Sequence, residues 1–489
     1  MRKFQHYIDG RFEDGAASFE SRDPATGEIW ALMPDAKRDD TDRAVKAAHR
    51  AFTDPAWCDL TASQRGKLLY RLADLVAGNV PALAAIETAD TGKIIRETSA
   101  QIAYVADYYR YYAGLADKIQ GAHLPIDKPG MEAWLRREPI GVVAAVVPWN
   151  SQLFLSAVKL GPALAAGCTI VLKASEEAPG PMLDFARLVH EAGFPPGVVN
   201  IITGFGAECG ATLTSHPLVA RIAFTGGPET ARHVVRNSAE NLAVLSLELG
   251  GKSPIVVFDD ADLDSAANAV IAGIFAASGQ SCVAGSRLLV QQAMKDRLLA
   301  KLAAKAAQIR IGDPRKNETE FGPLATQRQR DRIERVVAAS LAAGARLVTG
   351  GGRPSGFDQG FYYLPTILDC SGVNSPSAEE ELFGPVLSVL TFADEDEAVR
   401  IANSTPYGLA SGVFTRDLTR AHRMVRRIRA GIVWVNTYRA ISPIAPFGGY
   451  GLSGFGREGG FESVLDYTRT KSVWLRTSDD PIPDPFVMR

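Results

Sequence analysis

Residues 279–285 read GQSCVAG. The single thiol, Cys282, is flanked by Gly279, Ser281, Ala284 and Gly285. These small residues leave it sterically open and let backbone N–H groups point at it. Such a setting suits a nucleophile, because the attacking species is the thiolate, which needs room and favourable dipoles. The plain alternative is a buried structural cysteine. Two polar residues that end apolar runs fit the same chemistry. VVPWN closes with Asn150, whose amide can donate to a developing oxyanion. LELGG carries Glu248 among apolar residues, where desolvation raises a carboxyl pKa and suits it to general-base work. An Asn that caps a turn and a Glu paired with a surface Lys are the structural alternatives. The seven histidines are His6, His49, His123, His190, His216, His233 and His422. None lies at a predicted strand end beside a motif, so a cysteine–histidine pair has no support.

Two glycine clusters bear on phosphate binding. TGFGAECG spaces Gly204, Gly206 and Gly210 one residue too widely for a dinucleotide fingerprint, and an ordinary strand-to-helix turn explains it better. FTGGPET ends a strand with Gly226 and Gly227 and then opens a helix, with Pro228 in the first turn. Backbone N–H groups at a helix start suit a pyrophosphate, and a plain glycine turn fits equally well.

These residues need elements to position them. The chain has 489 residues, too many for one core, so two or three domains are expected. It is 46% apolar and 22% charged with a net charge of −2, the profile of a soluble globular protein without a basic stripe for nucleic acid. Its five cysteines are scattered, with no C-x-x-C pair, which points away from zinc sites and a disulfide framework and towards a reducing compartment. The N-terminal MRKFQHYIDGRFEDG has no signal-peptide core, and the apolar run 141–147 is too short to span a bilayer, so a cytoplasmic protein without a membrane partner is expected. YIDGRF predicts a hairpin at Asp9-Gly10, and a capped helix is expected from Thr61 or Ser63 to just before Gly78. From 142 to 248, apolar strands at 142–147, 169–173, 198–202, 221–225 and 243–248 alternate with helices at 153–166, 180–193, 207–215 and 228–239. That rhythm predicts a doubly wound parallel sheet, with ligands outside the carboxyl ends of its strands. After a break at LGGKSP, a second alternating region begins at PIVVF, with a helix expected over 262–278, and runs to IVWVN.

The ordered set Asn150, Lys173 with Glu176, FTGG, LELGG, GQSC, EEELFGPV and PFGGYGLSGFGRE resembles the aldehyde dehydrogenase superfamily over essentially the whole chain. The resemblance implies an α/β fold: a Rossmann-like parallel-sheet cofactor domain (1–118 and 140–250), an α/β catalytic domain (251–450) and a small β oligomerisation flap with the tail (119–139 and 462–489). It implies oxidation of an aldehyde by NAD in a homodimer or homotetramer. Cys282 is similar to the nucleophile that forms a thiohemiacetal and then a thioester, with Asn150 and the Cys282 N–H as oxyanion hole. Glu248 resembles the base for thioester hydrolysis, and Lys159 and Glu458 the groups that relay its proton. Lys173 and Glu176 resemble the adenosine-ribose pair. Trp149, Gly226, Gly227, Leu249, Glu381 and Phe383 complete the implied cofactor site. Glu176 favours NAD over NADP by repelling a 2′-phosphate. A catalytically idle relative, and a thiol esterase or acyl transferase, are the alternative functions.

The sequence departs from the family where aromatics often line the substrate tunnel. Ser151, Val158, Ala272 and Ala276 are small, Leu155 is aliphatic, and Phe447 keeps a ring. Fewer rings predict more room and a bulky aromatic or cyclic aldehyde. Arg439, in NTYRAISP at the tunnel mouth, is placed to recognise a substrate carboxylate, or else is simply solvated. Tyr450-Gly451 stands where many relatives carry lysine, and nothing in the sequence explains that change.

Overall fold

The computed structural model describes residues 1–482 and 484–487. Positions 483, 488 and 489, within the predicted tail, lie outside the described residues. The hairpin forms as its turn residues dictate. Strands β1 (His6–Ile8) and β2 (Arg11–Glu13) pair antiparallel around Asp9 and Gly10, both at positive φ. Helix α1 (Ala62–Gly78) is capped by the Thr61 hydroxyl and Gln64 amide, a capping box, and runs one residue past the predicted end.

The first large sheet contains β3 (Val142–Val146), β4 (Thr169–Ala174), β5 (Val199–Thr203), β6 (Val219–Thr225) and β7 (Val244–Glu248). These five are parallel in the spatial order β7-β6-β3-β4-β5, and β1 and β2 add antiparallel strands beyond β5. Strand order reverses between β3 and β6, so the crevice beyond their carboxyl ends lies between PWN and TGG. Helix α2 (Ile95–Leu115) packs on α3 (Gln152–Ala166), the helix that leaves β3. Helix α4 (Pro228–Asn237) leaves β6 with Pro228 in its first turn. The predicted helix at 207–215 is instead a π turn, Gly206–Gly210, followed by the short helix Ala211–Ser215.

The second large sheet has seven strands. They are β8 (Pro254–Val257), β9 (Arg287–Gln291), β10 (Arg346–Thr349), β11 (Thr366–Asp369), β12 (Val386–Phe392), β13 (Ala410–Phe414) and β14 (Ile432–Val435), in the order β10-β11-β12-β9-β8-β13-β14. Only β10 runs antiparallel to its neighbour. A last short strand, β15 (Gly454–Phe455), returns to pair with β7, so PFGGYGLSGFG bridges the two sheets. Strands Ala122–Leu124, Met131–Pro139 and Thr468–Arg476 form a separate antiparallel sheet. A ribbon of Arg2–Lys3, Ala17–Arg22 and Ile29–Asp35 and the strand β11 carry no pattern that the sequence reading used. No single described helix is long and apolar enough to cross a membrane.

The central strands of both sheets are largely apolar and buried because helices cover both faces. Leu288 on β9 is fully buried in the core of the second sheet. Leu288→Ala is expected to cost about 2–5 kcal/mol, read as a lower denaturant midpoint with an unchanged slope.

Candidate active site

Helix α5 (Leu263–Phe275) ends three residues before the predicted position. Ala277, Ser278 and Gly279 then take left-handed backbone angles (φ 53, 52 and 73°) and throw the chain back towards Cys282. Such a run costs energy, so partners must hold it. The Glu97 carboxylate accepts from the Ala277 N–H at 2.9 and 3.1 Å. The Gln280 side-chain oxygen accepts from the Ala325 N–H at 2.9 Å, and the Tyr438 hydroxyl donates to the Val283 carbonyl at 3.0 Å. Gly279 and Gly285 have a different purpose from the one expected. A Cβ on Gly279 would lie 2.3 Å from the Gly384 carbonyl carbon, and one on Gly285 2.4 Å from Ile255. They are bare so that the loop can pack down, and the loop as a whole presents a half-buried Cys282.

Burial pushes the Cys282 thiol up to about 12, with the Glu381 and Glu248 carboxylates adding to the rise; Arg439 and the Val283 N–H pull the other way. Asn150, buried at the end of β3, donates from Nδ2 to the Gln280 carbonyl at 3.1 Å, which ties it to the cysteine loop and leaves its second amide hydrogen free. Glu248 ends β7 and is 3% exposed. Neither carboxyl oxygen has a hydrogen-bond partner among the described residues. Burial holds its pKa well above 4.5, the Glu458 charge adds to the rise, and Lys159 and Arg457 oppose it. Its Oε1 lies 2.7 Å from where a Cβ on Gly448 would be, so glycine there leaves it room. Lys159 of α3 is fully buried, donates to the Thr225 hydroxyl at 2.7 Å and forms an ion pair with Glu458.

A cavity of about 730 Å³ brings Cys282, Asn150, Ser151, Leu155, Val158, Arg439, Phe447 and Glu458 together. Glu248 lies outside its lining, in the layer behind. Two expectations are corrected here. Ala276 does not line this cavity, nor does Ala272; both face a neighbouring cavity of about 740 Å³. The cause is the helix face: Asn268, Ala272 and Ala276 are spaced four apart and turn to that neighbouring cavity, while the Ala272 and Ala276 carbonyls accept from Arg439 Nη1 at 3.2 and 3.4 Å. Nor does the cavity lack rings, because Tyr104, Tyr108, Phe154 and Trp434 line it with Phe447. The sequence reading missed all four. The signal was Tyr104 and Tyr108, four apart and therefore on one face of α2. It also missed Lys93, whose buried ammonium donates to Glu87 at 2.7 Å, Gln101 at 2.6 Å and Ser151 at 3.3 Å.

The implied cofactor residues gather around the crevice between β3 and β6. Lys173 and Glu176 form an ion pair at 3.2 Å. Trp149 and Phe383 meet edge to face at 5.4 Å, with Phe383 in a left-handed conformation (φ 54°). Glu381 accepts from the Gly251 N–H at 3.0 Å and lies over Gly250, where a Cβ would overlap its carboxylate. Burial pushes Glu381 up to about 7. Leu249 is buried and donates its N–H to the Ser453 carbonyl at 3.1 Å. Gly227 precedes α4 with open space where a Cβ would stand. Gly226 does not share the role expected of it. Its N–H is spent on the Glu248 carbonyl at 3.1 Å, and it is bare because a Cβ would strike the Phe224 ring at 2.6 Å. Gly204 is also a packing glycine, with the Ala36 carbonyl 2.6 Å from its Cβ position.

The family model for the aldehyde dehydrogenase family matches residues 12–473. This chain belongs to that family. It is 69% identical, over the full length of both chains, to an Acinetobacter baylyi protein named (Z)-2-((N-methylformamido)methylene)-5-hydroxybutyrolactone dehydrogenase. It is similar to the crystal structure of PnpE from Pseudomonas sp. WBC-3, at 42% identity and a TM-score of 0.96 over 99% of this chain and 100% of that one. PnpE has also been solved in complex with nicotinamide adenine dinucleotide. An NAD+ complex of aldehyde dehydrogenase from Bacillus cereus matches at 39% identity and a TM-score of 0.95, over 98% and 97% of the two chains.

Proposed function

We propose that this member of the aldehyde dehydrogenase family oxidises a bulky aldehyde to the carboxylic acid with NAD, through a covalent intermediate on Cys282. The observation that carries the reading is the single cavity in which Cys282, Asn150 and Glu458 face one another, with Glu248 buried beside it. The thiolate of Cys282 adds to the aldehyde carbon, and the resulting oxyanion takes the free N–H of Asn150. Bound NAD supplies the hydride acceptor. Loss of hydride from the tetrahedral carbon leaves a thioester on Cys282. Glu248 takes a proton from water as it attacks that thioester, and the Lys159–Glu458 pair passes the proton outward.

The chain's own residues fit this cofactor. The open face at Gly227 at the start of α4 offers unhindered backbone to a pyrophosphate, and Lys173 with Glu176 offers a paired contact to ribose hydroxyls. NAD complexes of the similar PnpE and Bacillus cereus structures support the same choice. Glu176 disfavours NADP. The test is NADH formation at 340 nm with a panel of aldehydes, beside NADP. Replacing Glu176 by serine should raise the NADP-to-NAD ratio of kcat/KM by roughly tenfold or more. Absence of NADH with every aldehyde would end the reading.

The substrate class follows from two supports. The cavity of about 730 Å³ holds a cyclic or substituted aldehyde, and the Acinetobacter relative is named for a substituted 5-hydroxybutyrolactone. Such a lactol is the ring form of an open-chain aldehyde acid. The two large sheets and the separate sheet of Ala122–Leu124, Met131–Pro139 and Thr468–Arg476 support the division into cofactor, catalytic and flap domains at the boundaries given above. The flap strand Thr468–Arg476 leaves Trp474 and Leu475 exposed on an edge, which supports a homodimer or homotetramer. Five free cysteines support a reducing compartment, and hence the cytoplasm.

A further inference from the structure

We infer that the form of the substrate that reacts is the ring-opened aldehyde acid, held by its carboxylate on Arg439. This rests on the aldehyde-oxidising reading above. In a 5-hydroxybutyrolactone the carbon to be oxidised is tetrahedral, bearing the ring oxygen and a hydroxyl, so a thiolate has no carbonyl there to attack. Ring opening breaks the bond between that carbon and the ring oxygen. The hydroxyl loses its proton and becomes the aldehyde C=O, and the ring oxygen leaves as part of a carboxylate. Nothing is oxidised or reduced and no water is consumed. The open form therefore brings two handles, an aldehyde for Cys282 and an anion that needs a cation.

Two cationic side chains line the cavity, Lys93 and Arg439. The Lys93 ammonium is 4% exposed, and its three hydrogens go to Glu87, Gln101 and Ser151. It has nothing left to give. Arg439 has no carboxylate within 4.0 Å among the described residues, although Glu97 lines the same cavity. Glu97 is held by the Ala277 N–H instead. The guanidinium is braced through Nη1 on the carbonyls of Ala272 and Ala276, which leaves Nη2 and Nε to face a ligand. Two parallel N–H groups on one planar fork match the two oxygens of a carboxylate. The backbone of Arg439 sits at φ 62°, a conformation that side-chain-bearing residues rarely adopt, so the fold spends strain to place it. Arg439 is also near enough to Cys282 for its charge to draw the thiol pKa downward. The competing role is structural: an arginine that caps the carbonyls at the end of α5.

The experiment uses the intact enzyme and two probes. One is 4-oxobutanoate, whose ring form is 5-hydroxybutyrolactone itself. The other is its methyl ester, an aldehyde of the same chain length without the anion. For the unaltered enzyme, kcat/KM for the acid should exceed that for the ester by at least about tenfold, mainly through KM. Arg439→Gln should lower that ratio by at least about tenfold, and Arg439→Lys should restore part of it. Because the readout is a ratio, a general loss of folding does not imitate it, and NAD binding followed by fluorescence reports the folded fraction. A ratio near one in the unaltered enzyme overturns the inference while leaving aldehyde oxidation standing. Equal losses on both probes in Arg439→Gln also overturn it and assign Arg439 to capping. No NADH from either probe or from the wider panel takes down the earlier reading as well.

Discussion

Cys282→Ala is expected to abolish NADH formation, by at least about 10⁴-fold in kcat, while the protein still folds and binds NAD. The size of the effect follows from the chemistry. Without the thiol there is no covalent intermediate, and the remaining donors cannot replace a nucleophile. The fold should tolerate the change because the loop is held by other groups: Glu97 on Ala277, Asn150 on Gln280 and Tyr438 on Val283. Thermal melting with and without NAD checks the fold, and stopped-flow absorbance checks for any residual turnover. Turnover within tenfold of the unaltered enzyme would remove Cys282 from the reaction.

Glu248→Gln is expected to separate the two halves of the reaction. One equivalent of NADH should appear in a rapid burst, followed by a steady state slowed by about 10²–10⁴-fold, because the thioester waits for water that no base activates. The unaltered enzyme adds a pH signature. Burial and the Glu458 charge hold the Glu248 pKa above 4.5. A base works only when deprotonated, so steady-state turnover should rise with pH through that elevated value and fall as pH drops below it. The burst should not follow the same limb. In Glu248→Gln this limb should vanish from the steady state. An unchanged steady state in the variant would place the base elsewhere. Because Glu248 sits behind the cavity lining beside Gly448, its side chain must turn towards Cys282 to act.

The alternating strands and helices from 142 to 248 were legible because a parallel sheet covered on both faces writes itself as short β-branched runs separated by helical periods. The same logic gave the second alternating region from PIVVF (β8) to IVWVN (β14). Strand β11 was missed because TILD is too short to show a period, and PFGGYGLSGFG gave no hint that it would return a strand to β7. Glycine was the most misleading letter. Gly226, Gly279 and Gly285 read as open backbone, yet each is small because another atom lies where its side chain would be. Sequence shows that a side chain is absent and does not show which neighbour excludes it. The cavity wall failed for a related reason. Ala272 and Ala276 were placed by the family resemblance, which did not show that they share the face at the end of α5 turned to the neighbouring cavity. Lys93 was invisible because its role depends on Glu87 and Ser151, which only the tertiary fold brings to it.

The half-buried thiol matters for the enzyme between turnovers. Burial and the neighbouring Glu381 and Glu248 carboxylates raise the Cys282 pKa and so favour the neutral thiol in the free enzyme. Peroxides and alkylating agents react with the thiolate form. The free enzyme should therefore be a poor target for them, although its cysteine faces a cavity open to small molecules. Poisons that spare the resting protein and strike during catalysis would be the pattern to look for in a cell under oxidative stress.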